Sequence, residues 1–553
     1  MQRYSRLRLA VLAALSLATT AQAQNTDTQS VEELRNTLVS VMEALVQKGL
    51  LTREQAQQIV SNAQAKAAAD AQQKAEQEAA EKDAVVVTRI PETVKQDIVR
   101  QVGEQVRPLV KQDVLKDAQD RQWGVPGAMP DWLSRISLSG DLRLRAQYDD
   151  LDLDPAVCPT GNVDVCIPDY VAINDSGSEI GEDKYLNISA KRLRERIRLR
   201  VGLQSQLTDG ITAVVRLASG NSADPVSANQ TLGQAGSRFQ IAIDQAYLKF
   251  DAGNKALPWM TVLAGRTHNP FLSTDLVWDP DLNFDGLAGT WRVGFGGALQ
   301  PHAYLTLGAF PLQEVAISSD DKWLYAGQLG VALPWSENGR FKLAAGYYHF
   351  ENITGQRTTI LDNTLLDYTA PRWMQRGNTL FDIRNDIATD TRLYALAGEY
   401  RLANLTAGLE VPVAGHKVML TADYVRNIGY DEDKVKKLLN LTTDGSEQID
   451  GYQVELGVGT NGTGNRGDWR TYAAYKNLQR DAVVDAYTDS DFHLGGTDAR
   501  GYVIRAEWWF RDRTSLSLRH ISTRAIEDAP PFLDAGDLPL DIAVTLLDVT
   551  AQF

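Results

Sequence analysis

Cysteine is almost missing: the chain of 553 residues has two, Cys158 and Cys166. That excludes a disulfide-dense scaffold, and with no histidine beside the pair a two-cysteine zinc site is disfavoured. The residues between them are rich in turn formers, so a local disulfide in an oxidising compartment is expected, with two unlinked thiols as the alternative. Long apolar runs are missing too. Beyond the first two dozen residues nothing approaches the roughly 18 apolar residues that a spanning helix needs. Alternating strands would escape that test, because averaging hides an apolar face seen at every second residue. Positive charge is in deficit, 56 Lys+Arg against 71 Asp+Glu, and a formal net charge of -15 disfavours nucleic acid as a partner.

Catalytic signatures are equally sparse. The six histidines, His268, His302, His349, His416, His493 and His520, show no metal-ligand spacing, and neither G-x-S-x-G nor H-E-x-x-H occurs. No metal or cofactor is expected, and an enzyme is disfavoured; a triad of scattered residues around His493 or His520 is the catalytic arrangement left open. Gly462-Thr-Gly464-Asn-Arg-Gly467 fits G-x-G-x-x-G, yet it joins two alternating segments and opens no helix. Without a helix N-terminus it cannot cradle a phosphate and is read as a turn.

What is present begins with an export pattern. Arg3, Arg6 and Arg8 precede an apolar stretch from Leu9 to about Ala18, and Ala21-Gln-Ala23 follows, which together read as a cleaved signal over 1–23. Its removal takes away three positive charges, so -15 becomes -18. From Ser30 the residues Val31, Leu34, Leu38, Val41 and Leu45 repeat at coiled-coil spacing. Thr52-Arg-Glu-Gln55 is a capping box, and Val94, Ile98, Val102 and Val106 mark a further helical stripe. The Gly/Pro joint Trp123-Gly-Val-Pro-Gly-Ala-Met-Pro-Asp-Trp132 ends this helical region, giving domains at 24–130 and 131–553.

Past that joint the period becomes two. Ile136, Leu138, Gly140, Leu142, Leu144, Ala146 and Tyr148 alternate with Arg135, Ser137, Ser139, Asp141, Arg143, Arg145 and Gln147. Comparable segments recur at 192–207, 210–219, 240–250, 259–266, 286–297, 302–310, 322–333, 340–350, 391–402, 415–426, 451–460, 468–479, 500–511, 513–523 and 540–553, sixteen in all. Short connections such as Thr208-Asp-Gly210 and Arg511-Asp-Arg513 alternate with long polar ones such as 149–191 and 351–390. A sandwich or propeller has no reason to alternate in this way, whereas a membrane barrel does. Aromatics near strand ends, among them Tyr148, Tyr247, Trp259, Trp291, Trp323, Trp335, Tyr347, Trp469, Trp508 and Trp509, suit interface girdles.

The last strand, Leu540 to Phe553, is amphipathic and ends on an aromatic, which resembles the closing strand of bacterial outer-membrane barrels; an edge strand of a soluble sandwich would share its pattern. Further stretches match one family: Lys48-Gly-Leu-Leu-Thr-Arg-Glu54, Ile90-Pro-Glu-Thr-Val94, Trp123-Gly-Val-Pro-Gly127 with Pro130-Asp-Trp132, Gly140-Asp-Leu-Arg-Leu-Arg145, the arginine-rich strand 192–200, and Ala264-Gly-Arg266 with Asn269-Pro-Phe271. The chain resembles the porins of Gram-negative outer membranes that carry an N-terminal periplasmic helical or coiled-coil region. The resemblance implies an all-β transmembrane barrel of about sixteen antiparallel strands. It implies a passive channel, homotrimeric, in contact with outer-membrane lipid and lipopolysaccharide, with a peptidoglycan or periplasmic partner open to the helices. The alternatives are an anion- or phosphate-selective pore and a barrel that merely anchors a periplasmic tether.

Alternation places Arg192, Arg194, Arg196, Arg198 and Arg200 on one side of the second strand, with Arg143 and Arg145 beside them on the first and Arg216 and Arg266 on later strands. A cation facing lipid at mid-bilayer costs roughly 2–4 kcal/mol, so such a row must face water. It either selects solutes or solvates a wide lumen and pairs with Asp141 and other carboxylates. Glu195 falls on the apolar side, which places it either above the bilayer near the outer rim or at a subunit contact. By the resemblance, the third long loop folds inward and sets Asp275, Asp279, Asp281 and Asp285 against the arginines, creating a transverse field; otherwise those aspartates stay outside. The acidic first long loop, from Asp149 to Asp183, has no EF-hand spacing and reads as solvated surface, with divalent bridging to lipopolysaccharide as the alternative.

Overall fold

The computed structural model describes residues 135–152, 168–176, 185–186, 191–358, 366–384, 392–440, 447–526 and 540–553. The expected signal, the helical region 24–130 and the Cys158–Cys166 pair lie outside the described residues.

Sixteen strands form the wall: β1 Ile136–Asp152, β2 Arg192–Thr208, β3 Ile211–Ser219, β4 Ile241–Gly253, β5 Pro258–His268, β6 Asn283–Gly294, β7 His302–Gln313, β8 Lys322–Pro334, β9 Arg340–Glu351, β10 Arg401–Val413, β11 His416–Asn427, β12 Asp450–Thr460, β13 Trp469–Leu478, β14 Ala499–Arg511, β15 Thr514–Ala525 and β16 Asp541–Gln552. Each pairs antiparallel with its sequence neighbours, and β16 returns to β1 with Leu142 opposite Ala551 and Leu144 opposite Val549. Closure removes the sheet edges that lipid could not satisfy.

The side-chain period fixes which face is wet. Leu142 and Leu144 are 37% and 49% exposed while the intervening Arg143 and the following Arg145 turn inward, Arg145 to 6%. The same holds round the wall, where Leu193, Val215, Leu248, Leu287, Leu329, Leu405, Leu456 and Ile504 all face out. Trp259, Trp291, Trp335, Tyr347 and Trp508 are exposed near strand ends, as expected. Two expected girdle residues face in instead. Tyr247 packs on the internal core, and Trp509 is buried beneath the Arg470 guanidinium, 5.2 Å from its ring centre. Trp508 and Trp509 are consecutive, so one must turn inward.

One strand falls elsewhere than expected. Of the alternating run 391–402, Tyr394–Leu396 pairs with Leu380–Asp382 as a small hairpin inside the fifth long loop, and only its last two residues enter the wall strand, Arg401–Val413. At the other end β2 runs well past β3, and the second long loop supplies Gln230–Thr231 to pair with Ile197 and Arg196. Leu232 N–H donates to the Glu195 carbonyl there, 2.8 Å, so Glu195 sits where the loop, not a full strand, flanks β2.

The barrel encloses a core made by loops rather than by wall alone. In the third loop Trp278 meets Phe284 and Tyr348 edge-on, with ring centres 5.1 and 5.2 Å away, and Phe271 lies 5.3 Å from Tyr348. Such pairs add about 1 kcal/mol each beyond their buried area. Gln328 of β8 exchanges two hydrogen bonds with the Leu272 backbone, both 2.8 Å. Asp423 of β11 accepts from Thr274 N–H and Oγ1 at 3.0 and 2.7 Å. These anchors stand on strands remote from β5 and β6, so the loop is drawn into the lumen. Two short helices decorate the loops: α1 Tyr170–Ser176 and α2 Glu432–Leu439, the latter capped by the Asp431 carboxylate on Lys434 N–H.

Candidate functional site: the lumen

Strands β1 and β2 interleave two rows of charge. Asp141 faces Arg200, Arg143 faces Arg198, Arg145 faces Arg196 and Gln147 faces Arg194. Stacked guanidiniums repel, and acid partners relieve most of them. Asp141 binds Arg200 at 2.7 Å and Arg198 at 3.0 Å, and Asp281 of the third loop completes the square at 3.1 and 3.3 Å. Arg145 is clamped by Asp548 of β16 and by Asp491, at 2.8 and 2.9 Å. Arg194 pairs with Asp149, and Arg216 with Asp244.

The acidic residues of the third loop do not act as one set. Asp281 meets the arginine row. Asp275 points to the other side, towards Lys476 at 3.4 Å, Arg519 at 3.6 Å and Gln453 at 2.8 Å. Asp279 has no cation within pairing distance among the described residues; Asp281 N–H and Ser490 N–H donate to it at 2.7 and 3.1 Å. Burial raises all three carboxyls, but Lys476 and Arg519 outweigh it at Asp275, and Arg198 and Arg200 at Asp281, holding both below the usual range. Asp279, buried and beside Asp489 and Asp281, is pushed well up.

Arg266 and Asp285 differ from expectation. They are register partners on β5 and β6, joined at 3.0 Å, and line a separate cavity of about 280 Å³ with Leu282, Trp373 and Asp485. Neither borders the main cavity. Asp285 belongs to a strand rather than to the narrowing loop, so it cannot meet the arginine row.

A second inward segment was not legible in the sequence. The seventh loop, 479–498, enters the lumen, where Asp489 takes Arg519 at 2.7 Å and Asp491 takes Arg519 at 3.3 Å as well as Arg145. The fifth loop braces it from above: Gln375 donates to the Asp485 and Thr488 carbonyls at 2.8 and 3.0 Å, and Asn378 to Arg480 and Val483 at 2.6 and 2.9 Å. The run Asp485, Asp489, Asp491 was visible as acidic, but nothing in its spacing tells an inward loop from an outward one. Asp485 is buried with its carboxylate oxygens lacking side-chain donors, and burial pushes it up to about 7.

Besides the cavity at Arg266 and Asp285, two more hold the arginine row. One of about 680 Å³ is lined by Arg143, Arg145, Arg198 and Arg200 on one side and by Lys476, Arg505 and Arg519 on the other. The second, about 360 Å³, is lined by Arg192, Arg194 and Arg196 together with Asp149 and Asp224. Val226 of the second loop and Ser490 of the seventh border both, and Ser490 Oγ donates to the Val226 carbonyl at 3.2 Å. The lumen side of the wall is polar and densely paired, fit to pass solvated molecules. The two histidines set apart in the sequence, His493 and His520, each lie 2.9 Å from a threonine hydroxyl, of Thr523 and Thr545.

No curated protein sequence matches the chain. Solved structures of similar outline include Pseudomonas putida OprB, 11% identical over 78% of this chain and 97% of that one, with a TM-score of 0.43. The outer membrane channel DcaP of Acinetobacter baumannii is 14% identical over 76% and 97%, with a TM-score of 0.38. An anion-selective porin from Comamonas acidovorans is 11% identical over 76% and 99%, with a TM-score of 0.37. These likenesses are too distant to carry function. The family model described as "Putative porin" matches residues 35–553, nearly the whole chain, and with the closed sixteen-strand wall around a charged lumen it places this chain in that porin family.

Proposed function

We propose that the protein is a passive channel of the bacterial outer membrane, through which small hydrophilic solutes and ions move down their gradients. The observation that carries this is the segregation along the strands that line the main cavity, β1, β2 and β9–β16, with leucine, valine and aromatic side chains outside and polar and charged ones around the cavity. Lipid accepts the first set and water must fill the space beside the second. The third and seventh loops, both held inside by hydrogen bonds to the opposite wall and to each other, set the width. Asp281 against Arg198 and Arg200, and Asp275 against Lys476 and Arg519, hold them there rather than acting as free opposing rings of charge. We place the N-terminal region in the periplasm and the working unit as a homotrimer, in keeping with the porin family.

The test is planar-bilayer conductance of the purified full chain in a neutral lipid. Stepwise openings whose size falls when sugars of increasing size fill the bore support a channel. A bilayer that stays silent at any protein concentration rejects it.

A further inference from the structure

Six of the basic side chains at the arginine wall are bound to acids: Arg145, Arg194, Arg198, Arg200, Arg216 and, across the lumen, Arg519. Three are not. Arg192, at the exposed start of β2, bonds no acid among the described residues; the two that lie deeper bond only amides, Arg143 the Asn229 oxygen at 2.6 Å and Arg196 the Gln147 oxygen at 3.1 Å. Both keep a buried Nε with no acceptor at all. A guanidinium whose acid partner sits 3 Å away presents a dipole to a passing ion, and the attraction falls steeply with distance. An unpartnered one presents its full charge. Below the exposed Arg192, the field of the wall is therefore concentrated at Arg143 and Arg196.

Their placement is not arbitrary. Arg143 faces Arg198 and Arg196 faces Arg145, so the two lie on one diagonal of the β1–β2 pair, with backbones about 7–8 Å apart. Arg196 opens to the smaller cavity and Arg143 to the larger, and the Val226–Ser490 contact stands at the border between them. Asn229 and Gln147 are neutral, so they hold each guanidinium without cancelling it.

We propose that Arg196 and Arg143 form a two-step relay for small oxyanions of the carboxylate class. An anion is taken by Arg196 in the smaller cavity and handed to Arg143 in the larger, past the Val226–Ser490 border. The acid-bound arginines hold the loops and take little part. This rests on the channel reading above. Two sites in series, each with an intact charge, bind strongly enough to draw an anion in and weakly enough to release it, since a neighbouring vacancy always competes.

The experiment is bilayer recording of the full chain in gradients of potassium acetate and potassium chloride, for the unaltered protein, Arg143→Gln, Arg196→Gln, the double variant and the two Arg→Lys controls. The relay predicts acetate conductance that saturates with concentration in the unaltered protein. It predicts an anion-to-cation permeability ratio that falls about threefold or more in each Gln variant and further in the double one, and is restored by Lys. A double variant that conducts with an unchanged ratio overturns the relay and leaves the channel intact. Should the Gln variants fail to assemble, acetate conductance rising linearly in the unaltered protein overturns it as well. Absence of any conductance in the unaltered protein would instead reject the channel reading itself.

Discussion

Gly140 and Phe553 exchange both backbone hydrogen bonds, each 3.0 Å, at the point where the last residue of the chain meets the first wall strand. The ring of Phe553 lies over Gly140, and a Cβ at that position would collide with it and with the Arg200 carbonyl. The seam between β16 and β1 thus depends on a missing side chain as much as on the terminal aromatic. Gly140→Val should force the ring away and destabilise the barrel by about 1–3 kcal/mol. The urea midpoint of the folded band on unheated gels should drop, whereas Gly408→Val, where a Cβ meets nothing within 4 Å, should change it little.

Arg198 and Arg196 are successive inward positions on β2 with opposite expected behaviour. Arg198→Glu would set three carboxylates together, with Asp141 and Asp281, and should cost most of the assembled barrel. Arg196→Glu meets no acid at pairing distance among the described residues, and should assemble normally while moving ion preference towards cations. Yield of heat-modifiable protein separates the two; equal yields would show that the Asp141–Asp281 square is not structural.

Much of this was legible beforehand, and the reason is periodicity. A wall strand buries one face in lipid and one in water, so its alternation survives in the sequence, and the register from Leu142 to Ala551 follows from it. The misplaced strand at 391–402 fails for the same reason. Tyr394–Leu396 is also a half-buried strand, with Ala395 fully buried, but its partner is Leu380–Asp382 in the same loop. The arginines of the site were legible, as was Asp141 and, through the resemblance, Asp281. Asp491 and Asp548 were not: Arg145 finds Asp548 at a separation of 403 residues and Asp491 at 346, and no local pattern encodes such meetings. Which guanidiniums stay unpartnered is therefore a property of the fold alone.

Asp275 holds the third loop against Lys476, which is 1% exposed, and Arg519. Asp275→Asn leaves a buried ammonium short of its counter-charge and should cost about 3 kcal/mol, the low end for breaking a buried pair, because Asp489 still serves both cations. The loop should loosen before the wall unfolds. Protease nicking between 269 and 282 in the assembled variant, with the barrel still resistant, would be the sign; nicking equal to that of the unaltered chain would mean the pair does not hold the loop.

Asp485 makes the seventh loop pH-sensitive. Its carboxyl, pushed by burial from 3.8 to about 7, favours the protonated form in the folded state. Stability from this group is full below 3.8 and is lost as pH rises through 7. His493 works oppositely: burial lowers it from 6.5 to about 3, so its contribution is full above 6.5 and is lost as pH falls towards 3. With His493 replaced by Gln to remove the opposing contribution, hydrogen exchange across 479–498 should accelerate beyond the intrinsic rate between about pH 4.5 and pH 7 and level off above it, and adding Asp485→Asn should flatten that rise. A rise that persists in the variant would assign it to another group.

The account turns on which face of β2 meets water, and single cysteines at Arg196 and Ile197, with Cys158 and Cys166 replaced by serine, test it most directly. A membrane-impermeant, charged thiol reagent added during bilayer recording should react at 196 and reduce the current in steps, and should leave the protein with cysteine at 197 unmodified. Reaction at 197, or a current indifferent to modification at 196, would contradict a water-filled bore lined by the arginine row.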